Sequence, residues 1–232
     1  MKNRFYIYFL CLLLPVFAQA QDKIALTANV GYGYNAVWQN FGEILVLSTF
    51  RAADNFHFNV GADYKINQLA AVKGEGRITF PVRKVALFLD NGYLYSAFFN
   101  DNLQQLNASL LFGVDTRYFT GKIGCFGRWL RPFHQADENS ELSVFEPINL
   151  AYSFKGRIFP KGHKWNLSLE IANIGQFENE RSTNPIFTLA GTAVVANQLS
   201  VHGLIIVKPA GMGHIAANFY QIQVQTGVTY VW

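Results

Sequence analysis

Apolar and polar residues alternate one for one along most of this chain. From Asn55 to Lys65, Phe56, Phe58, Val60, Ala62 and Tyr64 oppose His57, Asn59, Gly61, Asp63 and Lys65. Leu106, Ala108, Leu110, Phe112 and Val114 oppose Asn107, Ser109, Gly113 and Asp115, and Trp165, Leu167, Leu169 and Ile171 oppose Asn166, Ser168 and Glu170. Successive side chains of a strand point to opposite faces, so each segment predicts a strand with one apolar and one polar face. Breaks at Gly, Pro, Asn and Asp clusters place strands near 23–35, 43–53, 55–66, 69–80, 84–96, 104–119, 122–131, 145–158, 164–174, 185–196, 199–208 and 215–232. That makes about twelve strands, most of them about 10 to 13 residues long, where a tilted strand needs roughly 9–11 to cross a bilayer. If the break around Asn67 is not a turn, the count falls to about ten.

The two faces differ in bulk as well as polarity. The apolar parity carries Phe, Tyr, Trp and Leu, while the polar parity is rich in Gly, Ser, Asn and charge. An exported β-sandwich would bury its bulky face and show water the polar one. A barrel in a membrane does the reverse, and its aromatic residues gather near strand ends, as Tyr32, Tyr34, Tyr118, Trp129, Trp165, Tyr230 and Trp232 do here. Connectors agree with this. Counted from the first strand, the even ones are mostly tight and the odd ones mostly longer, as expected for an even-stranded barrel with both chain ends on the periplasmic side. The expectation is an all-β fold, a transmembrane antiparallel up-and-down barrel.

Both ends carry an address. Lys2 and Arg4, the apolar run Phe5 to Phe17 and Ala18-Gln19-Ala20 have the order of a cleaved secretory signal, which divides the chain into a signal peptide over 1–20 and a barrel domain over 21–232. At the other end, Gln225 to Trp232 reads polar, any, Gly, any, any, aromatic, any, aromatic. This resembles the C-terminal assembly signal of Gram-negative outer-membrane β-barrels, carried here by Gly227, Tyr230 and Trp232. The resemblance implies an outer-membrane location, outer-membrane lipids as surroundings and the β-barrel assembly machinery as a partner during biogenesis.

Composition removes several function classes. The formal charge is +4 with 50% hydrophobic residues, which gives no case for nucleic-acid binding. Cys125 is the one cysteine outside the signal, so no intramolecular disulfide is expected. His57, His134, His163, His202 and His214 are scattered, with no zinc spacing. Gly31-Tyr-Gly33 and Gly74-Glu-Gly76 lie inside strands with no helix to follow, so neither is a phosphate loop. Neither a metal nor a cofactor is expected. Outer-membrane phospholipases carry a His-x-Ser-type arrangement, and this chain departs from it: His202 precedes Gly203-Leu204 and His214 precedes Ile215-Ala216.

The inward parity holds the candidate chemistry. Lys73, Glu75 and Arg77 form a row on one strand, and Asp63, Lys65, Asp115, Arg117, Lys122, Arg128, Lys155, Arg157, Glu170 and Lys208 join them. Such a lumen, polar and mildly basic, predicts a small porin-like channel with some preference for anions. Two other functions stand beside it. If opposite charges pair and fill the interior, the protein is a non-catalytic structural or interaction barrel that acts through its loops or as a partner subunit of the envelope. A lipid-modifying enzyme ranks third. The polar connectors Pro132–Ser143 and Gln176–Asn184, with Asp137, Glu138, Glu141, Glu178 and Glu180, are expected to face the medium.

Overall fold

The structure, a computed structural model, describes residues 24–36, 39–99, 103–132, 143–177, 179–180, 182–209 and 221–232. Twelve antiparallel strands follow one another: β1 (Ile24–Asn35), β2 (Gln39–Ala53), β3 (Phe56–Lys65), β4 (Leu69–Val82), β5 (Val85–Phe98), β6 (Leu103–Asp115), β7 (Phe119–Pro132), β8 (Val144–Arg157), β9 (Trp165–Ala172), β10 (Ile186–Ala196), β11 (Leu199–Lys208) and β12 (Gln221–Val231). Each pairs with its chain neighbours, and β12 closes on β1 through a register running from Ala25↔Val231 to Asn35↔Gln221. Closure leaves no free sheet edge at that joint.

The break at Asn67 is a real turn. Gln68 N donates to Lys65 O at 3.0 Å, and Asn67 takes a φ of 61°, a left-handed conformation that Asn tolerates better than most residues. The barrel therefore has twelve strands and not ten. One expected boundary moves. The chain reverses at Thr116–Tyr118, where Thr116 N meets Phe119 O at 2.8 Å, and not at Thr120-Gly121. The cause is local: Thr116 Oγ1 accepts from Phe119 N, and Thr120 Oγ1 donates to Asp115 Oδ1 at 2.7 Å, holding the new hairpin. The start of the last strand expected from 215 to 220 lies outside the described residues.

The barrel wears its apolar face outside. Val30 is 59% exposed, Ile148 78% and Leu169 59%, whereas Asn29, Asn107, Gln223 and Gln225 are buried. This polarity is the inverse of a water-soluble protein's and matches a wall set in lipid. Inside there is little room for a conventional core. Two small clusters form, Leu45, Leu69, Ala71, Leu94 with Phe177, and Leu111, Phe126, Ala151 with Ile174. In each, the last-named residue comes from the connector between β9 and β10.

Candidate functional site

The inward row on β4 forms as the alternation requires. Lys73 Nζ stands 2.7 Å from Glu75 Oε2, and Arg77 clamps Asp90 of β5 with Nε at 2.6 Å and Nη2 at 2.8 Å. Lys122 of β7 reaches the same Asp90 at 3.3 Å, so one carboxylate on β5 serves cations from two other strands. Arg77 also lies over the Phe88 ring at 4.1 Å. Further round the wall, Lys155 pairs with Glu170 at 3.9 Å, Ser153 Oγ donates to Glu170 Oε1 at 2.7 Å, and Arg157 meets Asp115 at 3.3 Å. Lys65 lies 3.9 Å from Glu43, which also accepts from Gln225 at 2.5 Å.

Arg117 does not belong to this interior. It sits exposed in the β6–β7 turn with its guanidinium 5.6 Å from the Tyr118 ring centre, because the reversal at Thr116 takes it off the strand. Three carboxylates not counted among the inward residues join instead: Glu43, Asp90 and Glu146. Glu146 is the most instructive. Strict alternation along β8 puts it on the outer face with Ile148 and Leu150. A bulge opposite Gly127, where the register passes from Phe126↔Asn149 to Arg128↔Glu146, flips the parity. Glu146 then turns inward to Arg128 at 2.5 Å, and Phe145 turns outward at 68% exposure. Pro147 occupies the bulge, the place in a sheet where a missing N–H is tolerated. Among the described residues these acids pair with lumen cations: Glu43 with Lys65, Asp90 with Arg77 and Lys122, and Glu146 with Arg128.

A second correction concerns the connector after β9. Gln176–Asn184 was expected to face the medium, but Phe177 is buried inside the barrel and Glu180 reaches Lys208, while Ser182 and Thr183 stay exposed. Asn173 is wholly buried; its N–H donates to Tyr152 O at 3.1 Å, its Nδ2 to Leu150 O at 2.7 Å, and its Oδ1 accepts from Tyr152 N at 2.7 Å. The chain then turns back on itself, with Glu180 N donating to Asn173 O at 2.7 Å and an isolated bridge from Ile174 to Asn179. Phe177 projects across the bore into Leu45, Leu69 and Leu94 at 3% exposure. Gly61 on β3 makes space for it: a Cβ there would lie 2.8 Å from Phe177 Cζ. Glu180 receives Lys208 Nζ at 3.0 Å. The sequence held a clue, since Ile174 and Phe177 are apolar residues in an otherwise polar connector. Residues 178 and 181, like Asp137, Glu138 and Glu141, lie outside the described residues.

The loop divides the lumen. On the side of the chain termini lies a cavity of about 450 Å³, bordered by Lys73, Glu75, Lys122, Lys155 and Glu170 on one flank and Leu45, Leu47, Leu204 and Ile206 on another. On the far side lies a vestibule of about 260 Å³ touching Leu94, Leu130, Arg128 and Lys208. Phe177 borders both.

Other candidates are placed as follows. His202 Nε2 lies 2.7 Å from Asn29 Oδ1. His163 stacks on Phe159 in the β8–β9 turn, and His134 and His214 lie outside the described residues. No cluster of three His, Cys, Asp or Glu suited to a metal ion occurs among the described residues. Cys125 is exposed on the outer face. At the end of β12, Tyr230 and the following Trp232 are outward, with ring centres 5.1 Å apart in a T-shaped contact. Gly227 faces inward, where a Cβ would crowd Asn29 Oδ1 and His202 Nε2, so its smallness has a packing reason of its own.

No protein-family model and no curated protein sequence matches the chain. Solved structures do. The KdgM porin superposes with a TM-score of 0.52 at 9% identity, covering 88% of this chain and 98% of that one. The NanC porin gives 0.52 at 11% identity with the same coverage. Outer membrane phospholipase A from Escherichia coli gives 0.50 at 9% identity, covering 88% and 89%. The fold is that of outer-membrane β-barrels, shared by porins and by an enzyme alike.

Proposed function

We propose that the protein is an outer-membrane channel of the porin-like type, exported with a cleaved signal over residues 1–20 and inserted by the barrel-assembly machinery through Gly227, Tyr230 and Trp232. Small polar solutes pass along the lumen and cross one constriction, the infolded β9–β10 loop. The observation that carries this reading is the pair of cavities on either side of Phe177: the obstacle between them belongs to a loop, not to the wall. Lys73, Glu75, Arg77, Asp115, Lys155 and Glu170 line the path as mutually compensating charges, so the bore discriminates weakly by sign. A residual preference for anions comes from the rim at the terminal end, where Arg83, Lys84, Arg117 and Lys164 are exposed. The role is passage and not catalysis, in keeping with the two porins among its structural neighbours.

A closed structural barrel is the second reading, and the packing of Phe177 against Leu45, Leu69 and Leu94 favours it. Single-channel recording in a planar bilayer separates the two. A channel shows steady conductance that rises in Phe177→Ala, with a small reversal potential under a salt gradient. Silence in both proteins, with folding and insertion verified by heat-modifiable mobility, establishes the closed barrel instead.

A further inference from the structure

The wall is not equally strong all round. β7 and β8 share a register from Phe119↔Gly156 to Leu130↔Val144, but β8 and β9 share only Ser153↔Ala172 to Arg157↔Ser168. From Val144 to Tyr152 the β9-side edge of β8 has no strand beside it among the described residues. The outer face of that same stretch is apolar and bare, with Phe145, Ile148 and Leu150 all exposed. Hydrocarbon does not tolerate an open strand edge, because its N–H and C=O groups find no partners there. Side chains and loop do the closing. Asn173 bonds Leu150 O and Tyr152 N, and the Tyr152 hydroxyl donates to Ser182 O at 3.0 Å. Ile174 packs behind them on Leu111, Phe126 and Ala151. A seam held by one backbone bond from Asn173 N to Tyr152 O, one side-chain amide, one phenol and a small apolar cluster opens at lower cost than a full ladder of backbone bonds.

The loop that seals this seam also floors the distal vestibule. That vestibule is amphipathic: Leu94, Leu103, Leu130 and Phe177 line it together with Arg128 and Lys208. Each of the two cations already holds a carboxylate, Glu146 and Glu180 respectively, so the polar side offers hydrogen bonds without net charge. A short segment of an alkyl chain beside a zwitterionic head, the part of such a molecule that about 260 Å³ holds, matches these two surfaces better than a fully hydrated solute does.

We propose that the distal vestibule binds a single-chain zwitterionic amphiphile, which reaches it sideways from the membrane through the β8–β9 seam. The site goes beyond axial passage and requires none, since its ligand never crosses Phe177.

The test uses the full barrel in phosphatidylcholine nanodiscs, with a palmitoyl lysophosphatidylcholine that carries a diazirine on its acyl chain, and maps photo-crosslinks by mass spectrometry. Crosslinks are expected at Leu94, Leu130 and Phe177 as well as at outward Ile148. Tyr152→Phe, which loses one hydrogen bond, accelerates the interior crosslinking by about two- to tenfold, Asn173→Ala, which loses those to Leu150 O and Tyr152 N together, accelerates it more, and both leave Ile148 unchanged. In a Cys125→Ser background, an oxidised Ala151→Cys, Ile174→Cys pair stops interior crosslinking, and reduction restores it. Crosslinks confined to the outer face overturn the site. Interior crosslinks that ignore Asn173→Ala, Tyr152→Phe and the disulfide overturn the sideways route. Conductance of the same variants reports on the axial channel separately, so failure of one proposal does not masquerade as failure of the other.

Discussion

The two flanks of this barrel are closed by different means. Around β4, β5 and β6 the wall is a continuous backbone ladder, from Leu69↔Phe98 to Val82↔Val85 and from Ala86↔Asp115 to Phe98↔Leu103. Around β8, β9 and β10 the ladder shortens, β9 ends at Ala172, and the Asn173 side chain with an infolded loop completes the enclosure. Backbone closure is indifferent to side-chain identity, whereas side-chain closure depends on single residues. The first flank is therefore a scaffold, and the second is where passage, binding and gating can be built without dismantling the wall.

Four substitutions break or sharpen this contrast. The largest effect is expected on the scaffold's interior, because Asp90 is 1% exposed and shared by Arg77 and Lys122. Asp90→Ala strands two cations and should cost about 3–5 kcal/mol in urea unfolding of the lipid-reconstituted protein; a loss below about 1 kcal/mol would mean that lumen water solvates them fully. Next comes the outer face. Leu110→Arg, pointing outward from β6 at 51% exposure, should destabilise by about 2–4 kcal/mol, while Ser109→Arg on the inward parity is better tolerated. Equal losses at the two neighbours would contradict the polarity of the wall. The smallest global effect belongs to Asn173→Ala, about 1–3 kcal/mol for the uncovered backbone groups. Its signature is local. Hydrogen exchange should quicken at Tyr152 and leave the amides of β5 and β6 untouched, and a uniform change along all strands would show that the seam is no weaker than the rest.

Legibility in the sequence follows the same division. Twelve strands and their two faces were readable because a closed antiparallel wall imposes one period on every segment. Asp90 was harder to see, since Phe88 and Leu94 share its inward parity and blur the alternation. Glu146 was invisible to parity, because one bulge at Pro147 exchanges the faces beyond it. Arg117 was misplaced by a turn that begins at Thr116, where a threonine hydroxyl and not a Gly or Pro makes the reversal.

The fate of the β9–β10 loop was only hinted at locally, by the apolar Ile174 and Phe177 in a polar connector. A polar stretch with Gln176, Asn179 and Glu180 satisfies every rule for a solvated connector. What draws it inward is a set of partners remote in the chain: Leu45, Leu69 and Leu94 around Phe177, a glycine at 61 that makes room for the ring, and Lys208 to meet Glu180. Alternation along the chain was sufficient to determine the strands, their faces and the barrel class, because period-2 polarity is a property of neighbours in sequence. The matched lumen charges, the division of the bore and the side-chain seam were decided by the tertiary structure alone, because each depends on which strands closure brings face to face across the interior.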